Sequence, residues 1–73
     1  MTEKQLKKIK SENIELVKGK VLSKTWTHHI IYDIILNIRD GIKVPHVVAK
    51  NEKNEKDKEY NMPLDTWLHD NGY

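Results

Sequence analysis

Alternation of apolar and polar positions is clearest between residues 30 and 38, which read IIYDIILNI. β-Branched and aromatic side chains suit the pleated surface of a sheet, and a period of two indicates a strand. This segment is the strongest structural signal in the chain. Its first predicted face is formed by Ile30, Tyr32, Ile34, Leu36 and Ile38.

The RDG triplet that follows predicts a hairpin turn and sets its register. A three-residue loop of residues 39–41 pairs Ile38 with Ile42 and then matches apolar with apolar residues along most of both strands. A two-residue loop of residues 40–41 sets Ile38 opposite Lys43 instead. Because a slip of one residue turns every side chain to the other face, the apolar match favours the three-residue loop. The predicted inner face then also contains Ile42, Val44 and Val48.

This register leaves further apolar side chains on the opposite face of the hairpin. Uncovered, such a group forms a patch of the kind that marks an interaction surface. Either the apolar residues near the two ends of the chain cover it, or a partner does, and that partner is another protein or a second copy. The predicted protein-binding residues are Ile31, Ile35, Pro45 and Val47.

The first third of the chain predicts a short helix and a bent strand. Residues 1–12 carry a thin apolar stripe, Leu6 and Ile9, and are expected to form a short helix or to stay frayed. Residues 14–24 read as a first strand. Gly19 lies in its middle, where a glycine often marks a bulge or a sharp bend.

The last third predicts a loop, a strand and a helix. Residues 51–59 contain no apolar side chain and are expected to form an exposed charged loop. Residues 58–62 follow as a short strand, and Pro63 suits the start of a helix. Leu64, Trp67 and Leu68 share one face of that helix. With 73 residues, the chain is long enough for one domain, residues 1–73.

Three short motifs carry a resemblance to known barrels. GKV at 19–21, YDIILNIRDG at 32–41 and VPHV at 44–47 resemble the Gly-x-Val, Tyr-x-Val-x-Leu and Asp-Gly layout of SH3-like and Tudor-like barrels. The whole chain also resembles a small, uncharacterised protein family from a Bacillus prophage, with five strands and one helix. The resemblance implies a mainly β, SH3-like barrel of phage origin. It implies no established function and supplies no site residues.

Charge is unevenly distributed and supports a second hypothesis. Residues 1–24 hold seven lysines and three acidic residues, whereas the rest of the chain holds six basic and eight acidic residues. A lysine-rich segment can bind nucleic-acid phosphates, and an aromatic side chain can stack on a base. The alternative function is therefore non-specific nucleic-acid binding through Lys4, Lys7, Lys8, Lys10, Lys18, Lys20 and Trp26.

Catalytic and metal-binding patterns are weak. The chain has no cysteine, and adjacent His28 and His29 point to opposite faces of an extended segment. We therefore expect no enzyme activity, no metal and no cofactor. The N-terminus is charged and no run of about 18 residues is apolar, so we expect a cytoplasmic protein without a membrane contact. The predicted function is a small binding or adaptor module, a monomer or weak homodimer, whose favoured partner is another protein.

Overall fold

The computed structural model describes residues 2–73, and Met1, the first residue of the predicted N-terminal segment and domain, lies outside them. The three strands are antiparallel, in the order β1-β2-β3, and form an open sheet. The fold is therefore mixed α/β, and the prediction of a mainly β, SH3-like barrel with five strands is wrong. The elements are α1 (Glu3–Val17), β1 (His29–Arg39), β2 (Ile42–Asn51), β3 (Tyr60–Pro63) and α2 (Leu64–Asp70).

Helix α1 extends through half of the segment predicted as a first strand. Thr2 and Gln5 form a capping box that begins the helix. Leu6, Ile9 and Leu16 pack against the core, and Leu16 lies seven positions, about two helical turns, after Ile9. The apolar stripe of residues 1–12 thus continues to Val17, because the short alternation in residues 14–17 also fits a helical face.

The remainder of the predicted first strand forms a short edge contact. Gly19 adopts a left-handed conformation (φ 84°) in the turn after α1, and its N–H donates to the Ile31 carbonyl at 2.9 Å. The Ile31 N–H donates in return to the Lys20 carbonyl, also at 2.9 Å. Leu22 then donates to the carbonyl of His29. Residues 19–22 therefore lie along residues 29–31 of β1 without forming a full strand.

The turn between β1 and β2 contains two residues. Asp40 and Gly41 both have positive φ, 52° and 77°, as in the tight turns that match the twist of a hairpin. Arg39 consequently pairs with Ile42, and the three-residue loop predicted from the apolar match is wrong. The register shifts by one residue at a bulge around Tyr32.

Because of the bulge, each of the two predicted registers holds in one part of the hairpin, and the bulge determines which side chains enter the core. Before it, Ile31 pairs with Ala49, as the three-residue register requires, and after it, Ile34 pairs with Val47. The extra residue brings Ile31 and Ile34, three positions apart, onto the same face. Both helices cover this face, which we call the helix-covered face. Its buried cluster comprises Ile31, Ile34, Val47 and Ala49 with Val17, Leu22, Leu64 and Trp67.

Helix α2 forms as the sequence indicates. It begins directly after Pro63, with Asp65 in its first turn and His69 in its last, which suits the helix dipole. Trp67 is buried, and its indole N–H donates to the Val21 carbonyl at 3.2 Å. This bond ties α2 to the segment after α1. In residues 2–73 neither helix combines the length and apolar character needed to cross a membrane.

Candidate functional site

The predicted protein-binding residues do not form one surface. Ile31 and Val47 are 1% and 0% exposed and belong to the core, so the prediction that they bind a partner is wrong. Pro45 shares their face, by strand alternation from Val47, and is half-buried. Ile35 is also half-buried but lies on the opposite face, where it pairs with His46. The bulge at Tyr32 therefore places Ile35 on a different face of the sheet from the other three predicted residues.

The second face of the sheet carries no helix, and we call it the outer face (Ile35, Val44, His46 and Val48). His46 and Val48 lie on the central strand and are each only 5% exposed. Side chains of β1 and of residues 59–61 meet across them, since the Tyr32 hydroxyl donates to Glu59 and the Asn37 amide donates to Asn61 at 3.3 Å. Side chains of the sheet and of Glu59 therefore shield the centre of this face from solvent.

Histidine 46 is bound within this face. Its Nδ1 lies 2.8 Å from the carbonyl oxygen of Val44, two residues earlier on the same strand. The bond satisfies one ring nitrogen of a nearly buried side chain. His46 is therefore a packed histidine with a backbone partner.

The far end of the hairpin is exposed on both faces. Strand β3 pairs only with residues 46–49 of β2, so the β1-β2 pair continues beyond the third strand. There, Ile38 and Ile42 are 71% and 63% exposed. The residues paired with them, Lys43 and Arg39, are exposed and basic. We call residues 38–43 the hairpin end.

Ile38 and Ile42 were assigned to the inner face by the sequence, and this is wrong. The two-residue turn pairs each of them with a basic residue instead of with each other. The signal that could have found them is the Asp-Gly dipeptide, which is among the strongest indications of a two-residue hairpin turn. The match of apolar residues along the strands outweighed it.

The side of β1 that faces away from β2 has no strand of residues 2–73 paired with it between Ile34 and Ile38, and we call this segment the β1 edge. Two of its backbone N–H groups are bonded by neighbouring side chains: Ile34 donates to the Asp33 carboxylate at 2.8 Å, and Ile38 donates to the Asn37 side-chain oxygen at 3.2 Å. Side chains take the place that a further strand would occupy. The arrangement blunts the edge without covering it.

Asp33 has a second role at the bulge. The Lys10 ammonium of α1 lies 2.5 Å from its carboxylate. Burial alone favours the neutral acid, but the hydrogen bonds from Lys10 and from the Ile34 N–H, with the charges of Lys10 and Lys18, outweigh it and lower the pKa of Asp33. Asp33 therefore forms a structural ion pair with Lys10 of α1.

An aromatic cluster joins the start of β1 to β3. The Trp26 ring stacks on Tyr60 with centroids 4.6 Å apart, and the His29 ring meets both edge-on. His29 is buried, and its Nε2 lies 3.1 Å from the Lys58 carbonyl oxygen. The cluster anchors the end of the exposed loop. At the other end, the Asn51 side chain accepts from the N–H groups of Lys53 and Asn54 and donates to the Asp57 carboxylate. One face of Trp26 is therefore used internally.

The lysines of the alternative hypothesis lie in two groups. Lys4, Lys7 and Lys8 are exposed within two turns of α1. Lys18 and Lys20 are exposed in the turn after the helix, whereas Lys10 is half-buried and paired with Asp33. Trp26 is 41% exposed. Five of the six lysines are thus exposed, and the sixth, Lys10, is engaged with Asp33.

Neither a metal site nor a comparison with known proteins indicates a function for the described residues. In the described part of the chain, no group of three or more histidine, aspartate or glutamate side chains could hold a metal ion. Comparisons with models of protein families, with curated proteins and with solved structures found no match. The resemblance to a Bacillus prophage family remains a prediction from the sequence.

Proposed function

We propose that the chain is a non-catalytic protein-binding module and that the hairpin end is its binding element. The observation that carries this proposal is the pair of exposed isoleucines, Ile38 and Ile42. Burial of an isoleucine side chain by a partner contributes about 1.5–3 kcal/mol, so two of them supply a useful anchor. They lie on opposite faces of a two-stranded projection, which suits insertion into a groove.

The charges around the anchor indicate the chemistry of the partner. Arg39 and Lys43 flank the two isoleucines, and both are exposed. Apolar anchors with a polar rim are the usual anatomy of an interface, and complementary charge speeds encounter. The expected partner surface is therefore an apolar groove bordered by acidic side chains.

A substitution pair tests this role. Wild-type protein is immobilised, proteins captured from cells that carry the gene are identified, and each is then purified and titrated against the chain. Ile42→Ser is expected to weaken the dissociation constant at least about tenfold, since most of one buried side chain is lost. Tyr73→Ser is the matched control, because Tyr73 is 65% exposed and lies outside the hairpin end. Equal affinity of the Ile42→Ser variant and the wild type refutes the proposal.

The cellular setting belongs to the same proposal. Phage origin rests on the resemblance of the whole chain to the prophage family, and a cytoplasmic location fits that origin and a chain without cysteine. A small adaptor fits that setting, because it acts through a partner and needs no active site of its own.

Nucleic-acid binding is the second candidate. The observation in its favour is the exposure of Lys4, Lys7 and Lys8 within two turns of α1. Lysines so spaced can contact successive phosphates without reading the bases. The acidic side chains of the same helix, Glu3, Glu12 and Glu15, oppose this attraction. The protein-binding proposal is therefore favoured.

A further inference from the structure

The β1 edge has the geometry needed to accept another strand. In a hairpin with a two-residue turn, Arg39 and Ile42 exchange both backbone hydrogen bonds, so the N–H and C=O groups of alternate residues point away from β2. These residues are Ile34, Leu36 and Ile38. The bonds of Ile34 and Ile38 to the side chains of their preceding residues agree with this direction.

The sequence of this edge is complementary to itself in charge. Residues 33–39 read DIILNIR, with an acid at one end, a base at the other and Leu36 at the centre. When two copies lie antiparallel about Leu36, Asp33 of each copy faces Arg39 of the other. Ile34 then faces Ile38 of the second copy, and Leu36 faces its own equivalent.

We propose that a second copy of the chain binds at this edge, β1 against β1, antiparallel and with a twofold axis at Leu36. This extends the proposed function, on which it rests through the shared residue Ile38, and adds a second copy of the chain as a further partner. The two three-stranded sheets join into one of six strands. Ile38, 71% exposed in the single chain, is covered by strand β1 of the second copy.

Charge selects this register among those that the backbone permits. A parallel arrangement in register places Asp33 against Asp33. A second antiparallel arrangement has its twofold axis one residue away, at Ile35 or Asn37. The backbone N–H and C=O groups that point away from β2 still pair there, but Arg39 lies opposite Ile31 or Ile35. Only the axis at Leu36 pairs Asp33 with Arg39, and symmetry makes this contact twice. The side chains of Asp33 and Asn37 release the Ile34 and Ile38 N–H groups, which then bond to the added strand.

The interface is small, so the dimer is weak. Strand addition buries little beyond the edge itself, and interfaces of that size belong to transient complexes. Association is therefore expected at high protein concentration, with the single chain dominant when dilute. Sedimentation velocity over a wide concentration range measures this equilibrium.

A cysteine introduced at the axis tests the register. The chain contains no cysteine, so Leu36→Cys has one thiol to react. Hydrogen-bonded cross-strand pairs have Cα atoms about 5.5 Å apart, within the range for a disulfide. Under mild oxidation Leu36→Cys is expected to form a disulfide-linked dimer much faster than Ile42→Cys, which has an exposed thiol away from the β1 edge. Equal rates, or faster linkage at Ile42→Cys, overturn the proposal.

A charge exchange supplies an independent test and a check on folding. Arg39→Asp alone and Asp33→Arg alone place like charges opposite each other, so each variant is expected to self-associate about tenfold more weakly. Mixed together they restore both contacts and form a heterodimer, and circular dichroism verifies that each variant is folded. Failure of the mixture to associate more strongly than either variant overturns the proposal.

The two proposals fail separately. Ile42→Ser removes a side chain of the hairpin end that lies on β2, so it leaves the β1 edge intact. If this variant still dimerises like the wild type but no longer binds a captured protein, both proposals stand. If Leu36→Cys fails to cross-link while captured protein still binds through Ile42, self-association alone is refuted.

Discussion

Lys10 on α1 and Asp33 at the bulge of β1 form an ion pair, with 2.5 Å between the ammonium and the carboxylate. The same carboxylate accepts the Ile34 N–H at 2.8 Å. One side chain therefore holds the helix to the sheet, supports the bulge and blunts the edge of the strand. Its ionisation links these three features.

Lys10→Met is expected to destabilise the fold by less than about 1 kcal/mol at pH 7, because both partners are partly exposed and solvent screens the pair. The pKa of Asp33 is lowered in the folded state. Its contribution is therefore present above the unfolded pKa of about 3.9 and is lost as pH falls through the lowered folded pKa. Urea denaturation of both proteins at several pH values measures the difference.

Lys7→Met is the control for this prediction, since Lys7 lies on the same helix and is exposed. It is expected to leave the free energy of unfolding nearly unchanged at every pH. A difference between wild type and Lys10→Met that persists unchanged into strong acid would mean that the stabilisation is not electrostatic.

Tyr32 is expected to ionise above the ordinary tyrosine pKa of about 10. Its hydrogen bond to Glu59 raises the pKa most, with further increases from burial and from the charges of Glu59 and Asp33. Stability from this bond is present below the unfolded pKa and is lost as pH rises through the raised folded pKa. Ultraviolet titration of the wild type minus Tyr32→Phe isolates the transition. Glu59→Gln should move it to lower pH, and an unmoved transition contradicts the assignment.

Gly41→Ala is expected to destabilise the hairpin by about 1–2 kcal/mol, because an alanine in the left-handed region is strained. Gly41 has φ 77°, and an added Cβ would meet no atom within 4 Å, so the destabilisation comes from backbone strain and not from a steric clash. Thermal denaturation measures the loss. Asp40→Asn is the control and should change stability little, since asparagine also accepts positive φ in such turns. A neutral Gly41→Ala substitution would contradict the two-residue turn.

Trp67→Phe is expected to destabilise the fold by about 2 kcal/mol, through lost packing and an unpaired Val21 carbonyl. Trp67 is 2% exposed and provides the hydrogen bond that joins α2 to residues 19–22. Trp26→Phe changes the second tryptophan of the chain, which is partly exposed, and should lower stability by under about 1 kcal/mol. Chemical denaturation followed by circular dichroism compares the two. A larger loss for Trp26→Phe would contradict the position of the core.

Nucleic-acid binding, if present, is expected to require the lysines of α1. A triple Lys4→Gln, Lys7→Gln and Lys8→Gln variant should weaken binding to generic single- and double-stranded DNA and reduce the dependence on salt by up to about three charges. Fluorescence anisotropy across a salt series measures both. The control removes three lysines of the exposed loop instead, Lys53, Lys56 and Lys58. Absence of binding by the wild type at low salt refutes this second candidate.

Local sequence patterns determined most of the secondary structure correctly. Alternation predicted the strand at residues 30–38, observed as His29–Arg39, and the following strand and turn were predicted as a hairpin. Pro63 and the spacing of Leu64 and Trp67 predicted α2. These features depend on neighbouring residues, whose periodicity and turn chemistry act within a few positions of the chain.

Exposure of Ile38 and Ile42, by contrast, could not be read from local patterns. It follows from the two-residue turn together with the short reach of β3, which leaves the hairpin end without a neighbouring strand. The β1 edge depends likewise on sheet order. Both sites exist because no further strand of the described chain pairs with that part of β1 or β2. The residues within a strand do not specify which strands lie beside it.

What the sequence by itself determined was where the chain forms strands, turns and the last helix. The tertiary structure alone decided that residues 14–17 continue α1, and that a bulge at Tyr32 places Ile31 and Ile34 on one face. The physical reason is that a short apolar segment satisfies either period, and packing selects between them. A one-residue bulge is stabilised when the apolar residues before and after it are both buried. Here Ile31 pairs with Ala49, Ile34 pairs with Val47, and the two helices cover all four.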